Sequence, residues 1–211
     1  MSQPLNAQGF TEEEFLANYK PGDYKNPSVT VDILIFTVHN GDLKILLIKR
    51  KDHPSIGKWA LPGGFVEIKE GLLDAAKREL EEETGIKDVY LEQLHTFGDD
   101  VYRDKRTRII SVAYMALIPN ESVKPIAGDD AADAAWFNVK KEKDNLFLVN
   151  EEKNISMRYK VIDEYVNYGE LRIKETKITP HEDTKDELAF DHYDIINLGI
   201  ERLRMRMNQS I

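Results

Sequence analysis

The stretch from Gly64 to Ile86, GFVEIKEGLLDAAKRELEEETGI, constrains the fold of this chain more than any other. Residues 72 to 84 are mostly strong helix formers, and Gly85 stands where a helix C-terminus favours glycine. At about 100° per helical residue, three glutamates share one arc of roughly 100° and the apolar positions share the adjacent arc. The glutamates are Glu79, Glu82 and Glu83, and the apolar positions are Leu73, Ala76 and Leu80. The segment therefore predicts a helix that packs by one face and carries carboxylates along its edge.

The glutamate cluster on this helix indicates a metal site. Like charges at i, i+3 and i+4 destabilise an isolated helix by a few tenths of a kcal/mol per pair, and a bound divalent cation reverses that sign. The chain has no cysteine, so any metal must be bound by oxygen or imidazole. Clustered carboxylates and carbonyls select Mg²⁺ or Mn²⁺. A solvated helix face is the alternative, which we adopt for Glu12-Glu13-Glu14 and Glu151-Glu152, and Glu81 should face solvent.

Strands are predicted on both sides of this helix. Residues 29–36 and 43–48 are apolar and β-branched, and His39-Asn40-Gly41-Asp42 between them supplies the turn of a hairpin. Further strands are predicted over residues 90–97, 109–118 and 135–139. Strands around one central helix indicate an α/β layered fold. Thr11 and Glu14 have the spacing of a capping box and predict a short helix before the first strand.

The last third of the chain has a different character. Strand-like runs over residues 155–166 and 171–178 flank Asn167-Tyr168-Gly169-Glu170 and predict an added hairpin. Apolar residues at mostly helical spacing from Asp191 to Met207 predict a terminal helix. We therefore divide the chain into a helical lead-in at 1–27, a central domain at 28–145, and a hairpin and helix extension at 146–211.

The spacing within the central segment resembles the signature of the Nudix hydrolases. A glycine, a glutamate six residues later and the Arg-Glu-aliphatic-any-Glu-Glu-any-Gly-aliphatic run are all matched, at Gly64, Glu70, Arg78, Glu79, Leu80, Glu82, Glu83, Gly85 and Ile86. The resemblance extends from Val29 to Val139. It implies an α/β/α sandwich with a mixed sheet, here followed by the added hairpin and helix. It also implies Mg²⁺-dependent cleavage of a phosphoanhydride bond in a nucleoside diphosphate linked to another group.

The resemblance assigns roles to particular residues. The matching glutamates bind metal, the first of them either as ligand or as base, and a backbone carbonyl completes the site; these are Glu79, Glu82, Glu83 and Gly63. The matching arginine, Arg78, orients the acids, and Glu70 supports the loop. Gly64 would let the backbone approach the diphosphate. The general base stays open: Asp129, Asp130 and Asp133 are candidates, and an acidic turn that is merely solvated is the alternative.

Two substrate signals point in different directions. The run from Arg103 to Arg108, with the apolar strand after it, resembles Nudix proteins that recognise ADP-ribose, and either arginine could hold the diphosphate by charge-assisted hydrogen bonds. Basic residues on a loop between strands are the alternative. A proline common in ADP-ribose hydrolases is missing, and Tyr102 falls near a tyrosine of diadenosine polyphosphate hydrolases. ADP-ribose or a related nucleotide sugar is the leading substrate.

A competing function is an ADP-ribose-sensing transcriptional regulator. Residues 188–192 and 200–204 resemble the segment that joins the Nudix domain of such regulators to a winged helix, but only a few residues follow here. The formal net charge of −9 also opposes a polyanionic partner, so we expect no nucleic acid. His192 is expected to be structural. The absence of a leader or long apolar run predicts a cytoplasmic protein without membrane contact, and a homodimer through the hairpin or terminal helix is expected.

Overall fold

The computed structural model describes residues 3–23, 25–119, 128, 131–184 and 187–208. The helices are α1 (Glu12–Asn18), α2 (Leu72–Thr84) and α3 (His192–Asn208), with a 3₁₀ turn at Pro21–Asp23. The strands are β1 (Ser28–His39), β2 (Asp42–Arg50), β3 (Trp59–Ala60), β4 (Gly63–Phe65), β5 (Glu92–Phe97), β6 (Ile109–Pro119), β7 (Ala131–Glu142), β8 (Asn145–Asn150), β9 (Ile155–Tyr168) and β10 (Leu171–Pro180).

These strands form one ten-stranded mixed sheet within the described ranges, in the order β10-β9-β8-β7-β2-β1-β6-β5. Strand β3 pairs with β2, and β4 pairs with β1. Strands β1 and β6 run parallel over their whole length, and the other described pairs are antiparallel. The β1–β4 pairing sets Gly63 opposite Asp32, so the chain entering α2 begins at the centre of the sheet.

Helices cover both faces of the sheet, because β1 alternates its apolar side chains between two cores. On one face Val31, Ile33 and Ile35 share a cluster with Ala76 and Leu80 of α2. On the other face Leu34 and Phe36 share a cluster with the α3 residues Ile195, Ile196 and Ile200. All of these side chains are buried. The predicted α/β/α sandwich with a mixed sheet is confirmed.

The predicted local elements are also found. The β1–β2 hairpin closes at Asn40 and Gly41, both with positive φ, and the added β9–β10 hairpin closes at Gly169. Thr11 and Glu14 form the predicted capping box at the start of α1. Helix α3 occupies the predicted terminal position.

Strand β8 was not predicted as a strand, and β7 is longer than predicted at both ends. Each of them pairs on two sides, β7 with β2 and β8, and β8 with β7 and β9. Hydrogen bonds to neighbours therefore extend strand structure past the apolar stretches that predicted it. As a result, one sheet includes strands on both sides of residue 145, where the predicted central domain ends.

Helix α1 lies at the surface and has no buried residue. In the described part of the chain, no helix combines the length and the apolar character that crossing a membrane requires.

Asp194, in the first turn of α3, gives the fold a specific pH dependence. Burial and the nearby charge of Asp191 raise the pKa of Asp194 to about 7. The unfolded value is about 3.9, so the folded state binds more protons and loses stability as pH rises from roughly 4 to 7. The α3 N-terminus favours the carboxylate and moderates this loss. We expect Asp194→Asn to raise the free energy of unfolding at pH 8 by on the order of 1 to 2 kcal/mol, and to change it little at pH 4.

Urea unfolding of both proteins at pH 4 and pH 8 measures this difference. The exposed Asp99 serves as the control position, where Asp99→Asn should leave the pH dependence unchanged. Equal gains from Asp194→Asn at the two pH values would contradict the assignment.

Candidate active site

A cleft of about 430 Å³ opens where α2, β1, β4 and the loop before β6 meet. Several of the predicted site residues line it: Gly63, Gly64, Arg78, Glu79, Glu83 and Arg103. Three others, Glu70, Glu82 and Arg108, are not among its lining residues. The cleft also contains side chains that the sequence did not single out for this site, which are Asp32, Arg50, Phe65, Asp104, Arg106, Phe190 and His192.

Arg78 of α2 holds the acidic residues together. Its Nε and Nη2 atoms donate to both carboxylate oxygens of Glu70, at 3.0 and 2.7 Å. Its Nη1 atom donates to Glu79 at 2.8 Å and to Glu82 at 3.0 Å, and Nη2 also reaches the Phe65 carbonyl at 3.1 Å. The Arg78 hydrogen bonds lower the pKa of Glu70 to about 2. One guanidinium thus donates hydrogen bonds to three carboxylates.

Glu83 joins α2 to the centre of the sheet. Its side chain is buried, and its Oε2 atom accepts the backbone N–H of Gly63 at 2.8 Å. Gly63 can lie there only because it lacks a side chain: a Cβ atom would be 2.1 Å from the Val31 carbonyl oxygen. Because residue 63 has no Cβ atom, its backbone can lie against β1 and donate its N–H to Glu83 there.

Glu79 lies against the next glycine. A Cβ atom at Gly64 would be 2.3 Å from Glu79 Oε1, so the carboxylate and the backbone of residue 64 approach closely. Burial raises the pKa of Glu79, and the hydrogen bond and charge of Arg78 oppose that rise. A half-buried carboxylate with a raised pKa suits proton transfer.

A buried polar network contributes to the same cleft. Arg103 Nε and Nη2 donate to both carboxylate oxygens of Asp191, at 2.8 and 2.6 Å, and Nη2 lies 3.9 Å from Asp32. Ser111 donates its hydroxyl to Asp32. His192 Nδ1 accepts the Leu61 N–H at 2.9 Å, and its Nε2 lies 3.5 Å from Asp32.

Burial lowers the pKa of His192, so this histidine is neutral at physiological pH. Its hydrogen bond from Leu61 agrees with the structural role expected from the sequence, although the ring also lines the cleft. Asp32 could have been noticed in the sequence as the single charge within the apolar run VTVDILIF. Nothing in the sequence indicated that His192 would line this cleft, because it reaches the cleft from the start of α3.

The remaining predicted residues lie elsewhere. Arg108 donates to the carbonyls of Gly98 and Asp100, at 2.5 and 3.5 Å. Asp133 pairs with Lys153 at 2.7 Å. Glu81 forms an exposed ion pair with Lys87, as expected for a solvent-facing position. Asp129 and Asp130 lie outside the described residues.

The donor set fits a hard divalent cation. Glu70, Glu79 and Glu82 share the single positive charge of Arg78, which leaves a surplus of negative charge beside the cleft. All the candidate donors are oxygens, which Mg²⁺ and Mn²⁺ prefer. Within the described ranges, no three His, Cys, Asp or Glu side chains are already grouped as a metal site.

The sequence and structure resemble known proteins. The NUDIX domain family matches residues 28–159. A relative, the ADPR responsive transcriptional repressor NtrR of Acinetobacter baylyi, is 46% identical over 51% of this chain and 44% of its own length. An ADP-ribose pyrophosphatase of Methanocaldococcus jannaschii is 40% identical over 55% of this chain and 64% of its own. The chain thus covers less than two thirds of either relative.

A solved structure supports the same relationship. The NUDIX domain of Shewanella oneidensis NrtR, crystallised with ADP ribose, superimposes with a TM-score of 0.65 and 31% identity. The match covers 92% of this chain and 99% of that domain. Because the family match spans more than half of the sequence and includes α2 with its glutamates, this chain belongs to the Nudix family.

Proposed function

We propose that this protein is a Nudix hydrolase that cleaves the phosphoanhydride bond of ADP-ribose or a related nucleotide sugar. The observation that carries the proposal is that one cleft combines the Arg78-bound glutamates of α2 with a set of cations. The cations are Arg50, Lys51, Arg103 and Arg106. Acids that bind a metal ion and cations that bind phosphate are the two components that hydrolysis of a diphosphate requires.

Mg²⁺, or Mn²⁺ in its place, would be held by Glu79, Glu82, Glu83 and the carbonyl of Gly63. When bound, the ion neutralises phosphate oxygens and lowers the pKa of a water molecule. Arg78 keeps Glu79 and Glu82 oriented before binding, which reduces the cost of assembling the site. Glu79 would serve either as a ligand or as the base that accepts the proton of the attacking water, since it lines the cleft and burial raises its pKa.

The cationic residues suit an anionic ligand. Burial lowers the pKa of Arg50, and the nearby charge of Arg106 lowers it further, so these guanidinium groups repel each other across the cleft. A diphosphate between them would relieve that repulsion. Arg103 is held by Asp191 and lines the cleft, whereas Arg108 bonds to backbone carbonyls outside it. Arg103 is therefore the stronger of the two candidates for substrate binding.

A substrate panel tests the proposal. ADP-ribose, NADH, diadenosine polyphosphates, UDP-sugars and oxidised nucleoside triphosphates are incubated with Mg²⁺, and the products are separated by chromatography. We expect ADP-ribose to give AMP and ribose 5-phosphate, and chelation of the metal to stop the reaction. Turnover of triphosphates without turnover of ADP-ribose would reject the substrate.

Substitution of Arg103 should affect binding more than substitution of Arg108. We expect Arg103→Ala to raise KM roughly 10- to 100-fold, because a hydrogen bond to a charged group contributes about 1.5 to 3 kcal/mol. Arg108→Ala should raise KM less, and the exposed Arg204→Ala should leave it unchanged. Steady-state kinetics with ADP-ribose measures all three. A larger effect at Arg108 than at Arg103 would contradict this order.

A second candidate function is an ADP-ribose-responsive regulator, favoured by the similarity to NtrR. Because the net charge is −9, we expect no specific DNA binding by this chain at physiological salt. A mobility-shift assay with and without ADP-ribose decides the matter. An operator band that is retarded and that responds to ADP-ribose would favour the regulator.

We also propose a homodimer formed through the β9–β10 hairpin or α3. Tyr165, Tyr168, Leu171 and Ile173 near the hairpin tip are exposed, and such apolar surface favours association. Light scattering of the full chain at several concentrations measures the mass.

A further inference from the structure

The residue that precedes α3 carries a carboxylate that faces an arginine of the cleft. In this place an acidic side chain commonly accepts N–H groups of the first helical turn. In Asp191, which directly precedes α3, both oxygens instead accept from Arg103, at 2.8 and 2.6 Å. The pairing is bidentate, so it fixes the plane of the guanidinium group as well as its position.

The segment that carries Asp191 is itself anchored to the middle of the sheet. The Trp59 N–H donates to the Glu187 carbonyl at 3.2 Å, and the Trp59 carbonyl accepts the Ala189 N–H at 2.7 Å. On the other side of Asp191, the His192 ring accepts the backbone N–H of the residue that follows β3, at 2.9 Å. Asp191 therefore lies between two contacts that hold it in place without a ligand.

Arg103 has one nitrogen atom left for a ligand. Its side chain is only 6% exposed, although it lines the cleft. Nε and Nη2 donate to Asp191, and Nη2 also lies 3.9 Å from Asp32. Among the described residues, no acceptor bonds to Nη1. Nη1 is therefore the atom that can donate to an anionic group in the cleft.

A second carboxylate beside Arg103 makes the contact to Asp191 necessary. Asp32 is buried in the cleft, where it accepts the hydroxyl of Ser111. Without Asp191, Asp32 would be the remaining acid beside a buried guanidinium group, and a buried charge requires a partner. Arg103 would turn toward Asp32, and its Nη1 atom would no longer face a ligand in the same direction.

We propose that Asp191 is a positioning residue, which holds Arg103 so that its Nη1 atom donates to the diphosphate of the ligand. This inference rests on the proposed function in taking the ligand to contain a diphosphate. Asp191 itself is not among the residues that line the cleft, so it acts through Arg103. The entry to α3 then contributes to ligand affinity as well as to the fold.

Calorimetry with Mg²⁺ and the methylene-bridged analogue of ADP tests this role on the full chain. The carbon bridge between the two phosphorus atoms resists hydrolysis, so only binding is measured. We expect Asp191→Asn to raise Kd about 5- to 50-fold, because the charged hydrogen bond from Arg103 to the ligand is weakened. Asp191→Ser also removes the carboxylate but keeps a residue suited to the start of a helix, and it should raise Kd to a similar extent.

Two further variants separate positioning from a general loss of structure. Asp191→Glu keeps a carboxylate and should lose less affinity than Asp191→Asn. Asp191→Asn combined with Arg103→Ala should have a Kd within about twofold of that of Arg103→Ala alone, because the first substitution acts through Arg103. Independent structural effects would multiply in the double variant.

Glu187→Gln is the matched control, because Glu187 lies in the same segment and pairs with Lys58 instead of Arg103. It should keep the Kd of the parent, and thermal unfolding checks the fold of each variant. An unchanged or lower Kd in folded Asp191→Asn or Asp191→Ser, or effects that multiply in the double variant, would overturn the positioning role. Absence of ADP-ribose hydrolysis would overturn the proposed function alone, because the calorimetry does not depend on turnover.

Discussion

Glu79→Gln should abolish nearly all hydrolysis while the fold persists. The substitution keeps the size of the side chain and removes the charge that a divalent cation and an attacking water need. Losing several kcal/mol of transition-state stabilisation lowers kcat by orders of magnitude, since each ~1.4 kcal/mol is tenfold. Glu82→Gln should have a similar effect. Single-turnover assays with ADP-ribose at saturating Mg²⁺ measure the loss.

Stability should respond differently from activity. In Glu79→Gln, a neutral amide replaces the carboxylate, and the desolvation cost of burying a charge disappears. This gain offsets the weakened hydrogen bond from Arg78. In Glu82→Gln, relief of repulsion between neighbouring glutamates offsets the loss of an exposed ion pair, so stability without metal should hold or rise slightly. Glu81→Gln is the control, because Glu81 contacts only Lys87 among the ion pairs described, and both turnover and stability should stay near those of the parent. If Glu79→Gln and Glu82→Gln turn over at the parent rate, α2 does not carry the metal site.

Gly63→Ala should severely destabilise the fold. The added Cβ would lie 2.1 Å from the Val31 carbonyl oxygen and 3.0 Å from the Asp32 Cα atom. Both are backbone atoms of β1, so no side-chain rotation relieves the clash. Shifting the central strand or β4 should cost about 3 to 5 kcal/mol, a large part of the whole stability of a domain. Thermal and urea unfolding should show a fall in Tm of roughly 10 °C or more.

Gly22→Ala is the matched control for this prediction. A Cβ atom at Gly22 meets nothing within 4 Å, and the substitution should change stability by less than about 0.5 kcal/mol. A Gly63→Ala protein with the Tm of the parent would show that β4 does not lie as closely on β1 as described.

The sequence predicted α2 and its chemistry because both are encoded locally. The helical period sets Glu79, Glu82 and Glu83 on one side, and fixed spacing puts Arg78 within reach of them. The structure adds that Arg78 also bonds to Glu70 across a loop, a contact whose ends are only eight residues apart. The hairpins were predicted for the same reason, since a turn residue and two alternating runs lie within one short window.

Other features depended on partners far away in the chain. Strand β8 pairs on both sides, with β7 and β9, and its apolar run from Leu146 to Val149 was a local strand signal that the prediction missed. Arg103 and Arg108 have the same chemistry in the sequence. Only the position of Asp191, 88 residues after Arg103, brings Arg103 into the cleft, and Arg108 instead bonds to nearby carbonyls.

The sequence by itself thus determined the Nudix fold and the acidic helix, because periodicity and short spacings specify local geometry. The tertiary structure decided which residues complete the cleft: Asp32 from the central strand, Arg106 from a loop, and Phe190 from the entry to α3. These residues meet because α2 and α3 pack on opposite faces of one sheet, and distant segments of the chain return to the centre of that sheet. Such contacts form between distant segments, so no local pattern records them.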